Sequence, residues 1–294
     1  MSAFYRSDQN YGTIKVYGTT TRKYKVTLIK SCNVKNCRDL FAEPSSSILL
    51  PSSKGSAHND EKLVQSISRT RSTIYELSSC NPWEFFVTMT LDAHKYDRFN
   101  LKKFHKDLSQ YIRDFNKKYR LCIKYLLIPE KHNNGAWHFH GFFMGLPKNF
   151  LHKFSVNEHL PNKLLDRIHA GKNVYTWPAY VNKFGFSNFE PIDNLEAVSK
   201  YITKYITKDF IESITELNAH KFYASQGLKK AEVLHQGLIF KALPSLDFEN
   251  DYVQIKWFDT FEEALTSFNM ENNCVAVERD LCLQHRSLSV GLME

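Results

Sequence analysis

The segment LCIKYLLIPEKHNNGAWHFHGFFM, Leu121–Met144, decides the fold class. Leu121 to Ile128 and Trp137 to Met144 are apolar runs of strand length, and Asn133-Asn134-Gly135 between them carries the residues that reverse a chain. Strands joined by so short a connection pair antiparallel. An earlier run, Phe85-Phe86-Val87-Thr88-Met89-Thr90-Leu91, is β-branched and aromatic and reads as another buried strand. Strand therefore neighbours strand, which predicts an antiparallel α+β core rather than a doubly wound parallel sheet.

Helical spacing surrounds these strands. Leu63, Ile67, Ile74 and Leu77 predict an amphipathic helix over 59–79, stopped by Asn81-Pro82. Phe99, Leu101, Phe104, Leu108, Ile112 and Phe115 predict a second over 97–118, with lysines and arginines on its outer side. Shorter helices are expected near Lys163–His169 and from Leu195 to Lys208. Tyr252–Phe258 reads as a strand, and Asp259-Thr260-Phe261-Glu262 as the capping signal of a last helix. Residues 1–58 read as an irregular N-terminal arm, with a β-like run at Tyr24–Ile29 and a Ser/Pro-rich linker over 44–56. Residues 59–230 form the expected central domain, and 231–294 a C-terminal extension.

The chain has 294 residues, 43% of them hydrophobic, enough for a sizeable core. Its formal charge of +8 suits a polyanionic partner such as nucleic acid. No apolar run approaches the length of a membrane span, and Met1–Arg6 lacks the apolar stretch of a signal peptide. Six cysteines in a chain of this length do not make a disulfide scaffold, and Cys32 and Cys37 have no matching second pair for zinc. These features predict reduced thiols in a cytoplasmic protein without a membrane partner.

In Trp137-His138-Phe139-His140, alternation puts His138 and His140 on one face of a strand, about 6–7 Å apart, where both can chelate one ion. Without a third ligand, such a pair is more often a polar patch of a sheet. The turn decides whether Glu130 is that ligand. A two-residue loop at Asn134-Gly135 would pair Glu130 with Phe139 and send the carboxylate to the wrong face. A three-residue loop, a type I turn closed by Gly135 in the left-handed conformation, would pair Glu130 with His138. His132 faces the same side and is a reserve ligand. Two imidazoles and one carboxylate leave positions open for water or a phosphate oxygen, which favours Mg²⁺ or Mn²⁺.

The repeat Tyr201-Ile202-Thr203-Lys204-Tyr205-Ile206-Thr207-Lys208 makes sense as a helix. As a strand, one face would mix Ile with Lys. As a helix, Tyr201, Lys204, Tyr205 and Lys208 form one stripe, and Leu195, Val198, Ile202 and Ile206 an apolar stripe beside it. Asp193 or Asn194 can cap its start. A phenol with an ordinary pKa near 10 is a poor nucleophile at neutral pH, and a nearby ammonium favours the phenolate. A lone Tyr-x-x-Lys is usually packing and solvation; the tandem copy beside a histidine pair is what points to chemistry.

With those residues together, the chain resembles the HUH endonucleases, named for two histidines flanking a hydrophobic residue. More narrowly, it resembles the replication-associated proteins of rolling-circle phages and plasmids, of the filamentous-phage gene II type. Phe85–Leu91 resembles the first family motif, Gly135–Gly141 the metal motif, and Ser199–Lys208 the nucleophile motif of the two-tyrosine subgroup. The likeness spans roughly residues 60–230. It implies a ferredoxin-like/RRM-like core with a central antiparallel sheet and packed helices. It also implies metal-dependent nicking and rejoining of single-stranded DNA at a replication origin, through a 5′-phosphotyrosine intermediate, in a bacterial host cell. Glu130, His138 and His140 would hold the metal, and Tyr201 and then Tyr205 would attack beside Lys204 and Lys208. Host helicase and polymerase would be partners. Thr88 and Thr90, on the motif near DNA, and Trp177 and Lys183, in the aromatic segment 175–186, are expected DNA contacts. The other readings are a single-strand transposase or relaxase of the same superfamily, and a non-catalytic RRM-like nucleic-acid-binding protein.

Overall fold

The structure, a computed structural model, describes residues 10–19, 21–29, 60–204, 220–239, 243, 245–249 and 253–268. It divides into two compact units, Leu50–Lys230 and a second built from both ends of the chain, Met1–Leu49 with Ala231–Glu294.

The chain begins with β1 (Asn10–Tyr17) and β2 (Lys23–Ile29). Helix α1 (Asp60–Ser79) leads to β3 (Phe85–Thr90). Its end is held where the Asn81 side-chain amide and the Trp83 indole both donate to the Leu77 carbonyl. Helix α2 (Leu101–Tyr119) is capped by the Asn100 side chain and stops at Arg120, which turns left-handed at φ 54°. Then come the hairpin strands β4 (Lys124–Lys131) and β5 (Trp137–Met144), and β6 (His152–Lys153). Helix α3 (Asn162–His169), β7 (Tyr175–Thr176), α4 (Pro178–Lys183), β8 (Ser187–Pro191), α5 (Leu195–Lys204) and β9 (Tyr223–Ala224) complete the central unit. Strands β10 (Glu232–Ile239), β11 (Phe248–Glu249) and β12 (Val253–Phe258) and helix α6 (Phe261–Leu265) follow, α6 capped by Thr260. Among the described residues no helix is long and apolar enough to cross a membrane.

The sheet of the central unit runs β6-β7-β8-β3-β5-β4-β9. Its middle four strands stand in the order β8-β3-β5-β4, all neighbours antiparallel, with α2 crossing from β3 over to β4. This is the α+β, ferredoxin-like/RRM-like core. Side-chain alternation gives the sheet two different faces. On one, Phe85, Val87, Met89, Phe139, Phe143 and Phe189 pack with Phe104, Leu108, Ile112 and Phe115 of α2, and with Trp177, Tyr180 and Phe184. On the other, Leu126, Ile128 and Phe142 pack with Ile74 and Leu77 of α1 and Ile202 of α5. Each fully buried side chain of this kind contributes about 1.5–3 kcal/mol.

The arm and the extension, two separate appendages in the sequence reading, pair as one sheet in order β10-β1-β2-β12-β11. Ile14, Val26 and Leu28 are buried with Leu243, Ala264 and Phe268. Local pattern shows each strand's length and faces but not a partner at the far end of the chain.

Two expectations follow for stability. A Cβ on Gly141, in the middle of β5, would lie 2.0 Å from the Leu126 carbonyl oxygen. Gly141→Ala should therefore force the hairpin apart and cost about 3 kcal/mol, read as a lower urea midpoint. The His105 ring stacks on Tyr223 with centroids 3.8 Å apart, and burial pushes its pKa down from 6.5 to about 4. The unfolded chain then binds a proton that the folded one refuses, so stability falls as pH drops from 6.5 to about 4. The loss should be roughly 2 kcal/mol, less than the full shift implies because the ring is partly solvated. His105→Gln should remove that part of the pH slope in matched unfolding curves.

Candidate metal centre

The hairpin between β4 and β5 closes through the three-residue loop. The His132 N–H donates to the Ala136 carbonyl (2.9 Å), the Gly135 N–H donates to the His132 carbonyl (2.8 Å), and Gly135 takes φ 83°. The Asn134 side-chain oxygen accepts from the Ala136 N–H. The register that results sets Glu130 opposite His138 and Ile128 opposite His140. Glu130 therefore shares the face of the two histidines.

The three side chains converge. His138 Nε2 lies 3.0 Å from Glu130 Oε2 and 2.9 Å from His140 Nε2, and His140 Nε2 lies 3.0 Å from the same Glu130 oxygen. Three donors on one face of an octahedron with bonds of about 2.1 Å are about 3.0 Å apart, against about 3.4 Å at tetrahedral angles. The triangle fits a facial set with the opposite positions open. Among the described residues this is the one cluster of three such groups able to hold a metal.

Protonation favours the same role. Hydrogen bonds from His138 and His140 hold the Glu130 carboxyl well below the usual carboxylate range, against the opposing effect of burial. Burial pushes the His138 imidazole down, with the Glu130 hydrogen bond opposing. An ionised carboxylate beside a neutral imidazole is the state a cation requires. Thr88 supports the second imidazole: its Oγ1 lies 3.0 Å from His140 Nδ1. With Nδ1–H donating to Thr88, the lone pair of His140 points from Nε2 into the triangle. His138 Nδ1 is buried without a hydrogen-bond partner among the described residues.

Tyr201 approaches through Phe86. Helix α5 buries Ser199 and Ile202 and leaves Tyr201 exposed. Asn194 caps it by accepting from the Ala197 N–H, while Asp193 pairs with Lys172. The Tyr201 ring meets Phe86 edge-on at 6.1 Å, and Phe86 lies parallel to His140 at 6.3 Å. One aromatic residue thus touches both the tyrosine and a metal-ligating candidate. Tyr205, Lys208 and the Lys204 side chain fall outside the described residues.

Other expected site residues are placed differently. Trp177 is fully buried between the sheet and α2, so it offers no ring face to a base. Lys183 sits over the Tyr111 ring of α2 at 4.8 Å, on the side of the sheet away from the histidines. The segment 175–186 reads as DNA-facing because of its aromatics, yet most of them fill the core. Thr88 supports His140, and the Thr90 hydroxyl donates to the Phe186 carbonyl. His132, the reserve ligand, stacks on His138 with centroids 4.0 Å apart and stays outside the triangle. Phe86 is the residue the sequence reading missed. It sits in the motif-one strand on the histidine face, and alternation could have found it.

Residues 84–210 match the family model of replication-associated proteins of the ORF2 and gene II protein type. The matched stretch contains the whole triangle, Thr88, Phe86 and Tyr201, and it supports a phage or plasmid replication initiator. No curated protein and no solved structure matches the chain.

Calorimetric titration with Mn²⁺ should show binding to the native protein and none to Glu130→Gln or His138→Ala. Thr88→Val should weaken binding about 10- to 100-fold by releasing His140. An unchanged isotherm would mean that the threonine does not orient the imidazole.

Proposed function

We propose that this protein initiates rolling-circle replication by nicking and rejoining single-stranded DNA at an origin. The observation that carries this reading is the Glu130–His138–His140 triangle, with the Tyr201 ring against the same Phe86 that lies along His140. A bound divalent ion, Mg²⁺ or Mn²⁺, would polarise the scissile phosphate.

Glu130 and the two imidazoles supply one negative charge and two neutral donors, which leaves a dication net positive toward an incoming phosphate. The Tyr201 phenol oxygen attacks phosphorus, the bond to the 3′ oxygen breaks, and that oxygen leaves as a 3′-OH after taking a proton. The product is a 5′-phosphotyrosine link. Because the phosphoester count is unchanged, attack by a 3′-OH reverses the step and reseals the strand without ATP. Lys204 and Lys208, each three residues after a tyrosine, supply cations for the phenolate and for the transferring phosphoryl group. Tyr205 serves the second cut, after the released 3′-OH has primed a host polymerase behind a host helicase. The site of action is the bacterial cytoplasm. A protein that only binds nucleic acid has no use for a chelating triangle of this spacing.

The test is incubation of the protein with single-stranded DNA from its replicon's origin and Mn²⁺, followed by denaturing electrophoresis. A covalent adduct is expected from the native chain, none from Tyr201→Phe combined with Tyr205→Phe, and none from His138→Ala. An adduct persisting in the double tyrosine variant would remove both tyrosines from the chemistry.

A further inference from the structure

The histidine face of the sheet continues beyond the metal ligands. Thr90 pairs directly with His138 across β3 and β5. On its other side, the Thr90 N–H donates to the Phe186 carbonyl (2.9 Å), and the Thr90 hydroxyl donates to the same oxygen (3.0 Å). The β3–β8 register pairs Thr88 with Asn188 and Met89 with Ser187, so one further step sets Phe186 opposite Thr90. Glu130, His138, Thr90 and Phe186 therefore form one row across neighbouring chains, on one face. Strands lie about 4.8 Å apart, which puts Phe186 about 10 Å from His138.

Phe186 differs from the rings around it. Phe184 and Phe189 are fully buried, whereas Phe186 is 36% exposed. Its ring lies nearly parallel to Phe154, at 5.8 Å and 12°. The backbone beneath it is held tightly. Gly185 takes φ 152°, and a Cβ there would lie 2.4 Å from the Asp92 nitrogen and 2.7 Å from the Thr90 oxygen. The Asp92 N–H also donates to the Phe184 carbonyl at 2.9 Å. Residues 184 and 186 are thus stitched to the end of β3 from both sides of a glycine that only fits without a side chain. The aromatic surface so presented is rigid, backed by a second ring, and in line with the metal ligands.

We propose that Phe186 is the stacking platform for a base that flanks the scissile phosphate, with the single strand crossing the sheet over Thr90. Every base has a π-face, so a fixed exposed ring holds a strand without reading its sequence. Fixing a neighbouring nucleotide limits where the phosphate can lie over the triangle, which is how a positioning residue contributes to a displacement. This inference rests on the nicking reading above. A ring that merely edges the small core of Phe154, Leu164 and Val174 would contribute to stability alone.

The test compares the full-length native chain with Phe186→Leu, which keeps apolar bulk, and Phe186→Trp, which keeps a stacking ring. Binding of the origin single strand is followed by fluorescence anisotropy in EDTA, so no cleavage intervenes, and each variant's melting temperature is measured alongside. Phe186→Leu should bind about 5- to 100-fold more weakly, and Phe186→Trp within a few-fold of the native protein. Native-level binding by Phe186→Leu, whatever its melting temperature, overturns the platform while leaving the nicking reading intact. Failure of the native chain to bind the strand overturns both.

Discussion

The pairing of Glu130 with His138 across the β4–β5 hairpin is the constraint on which the candidate site depends. Side chains of a strand alternate between faces, so a slip of one residue would carry the carboxylate into the apolar layer under α2. Two features hold the register. At one end, Gly135 closes the three-residue loop in a conformation that few other residues accept. In the middle, Gly141 lets the backbones of β4 and β5 approach where a side chain would collide with the Leu126 carbonyl. Neither glycine has chemistry of its own, yet together they place one negative charge and two neutral donors at mutual distances of about 3.0 Å, the spacing octahedral coordination wants.

The two faces of the sheet then divide the work. The face toward α2 takes nearly all the large aromatics and supplies the rigidity of the unit. The opposite face is apolar only at one end, where α1 and α5 cover Leu126, Ile128 and Phe142. The other end carries Glu130, the histidines, Thr88 and Thr90. Phe86 stands at the boundary between these zones and touches His140 and Tyr201 alike. The helix that packs on the apolar end is therefore also the element that brings its tyrosine toward the polar one. Packing and chemistry meet on a single side chain.

Aromatic residues are where composition misleads. Trp177 and Phe186 lie within one aromatic-rich stretch, and both could stack on a base. The fold buries Trp177 completely and exposes Phe186 beside Thr90. A tryptophan just before a proline-led helix is carried under the sheet by α4, whereas Phe186 follows a glycine that bends the chain back to the histidine face. Lys183 shows the same point for charge, since its ammonium rests over Tyr111 on the wrong side of the sheet.

The sequence by itself determined the elements and the pattern of their faces. The strands at Phe85, Lys124 and Trp137, the helices ending at Ser79 and Tyr119, and the shared face of His138 and His140 follow from periods of 2 and 3.6 residues and from capping and turn residues. These are short-range properties, written within a few residues of where they act. Tertiary structure decided the rest, because its causes are long-range. It chose the loop that brings Glu130 to the histidines, set Phe86 between His140 and Tyr201, turned Thr88 from an expected DNA contact into the partner of His140, and joined the two ends of the chain in one sheet. Which strand lies beside which is settled by the burial of whole layers, and no local stretch of residues carries that information.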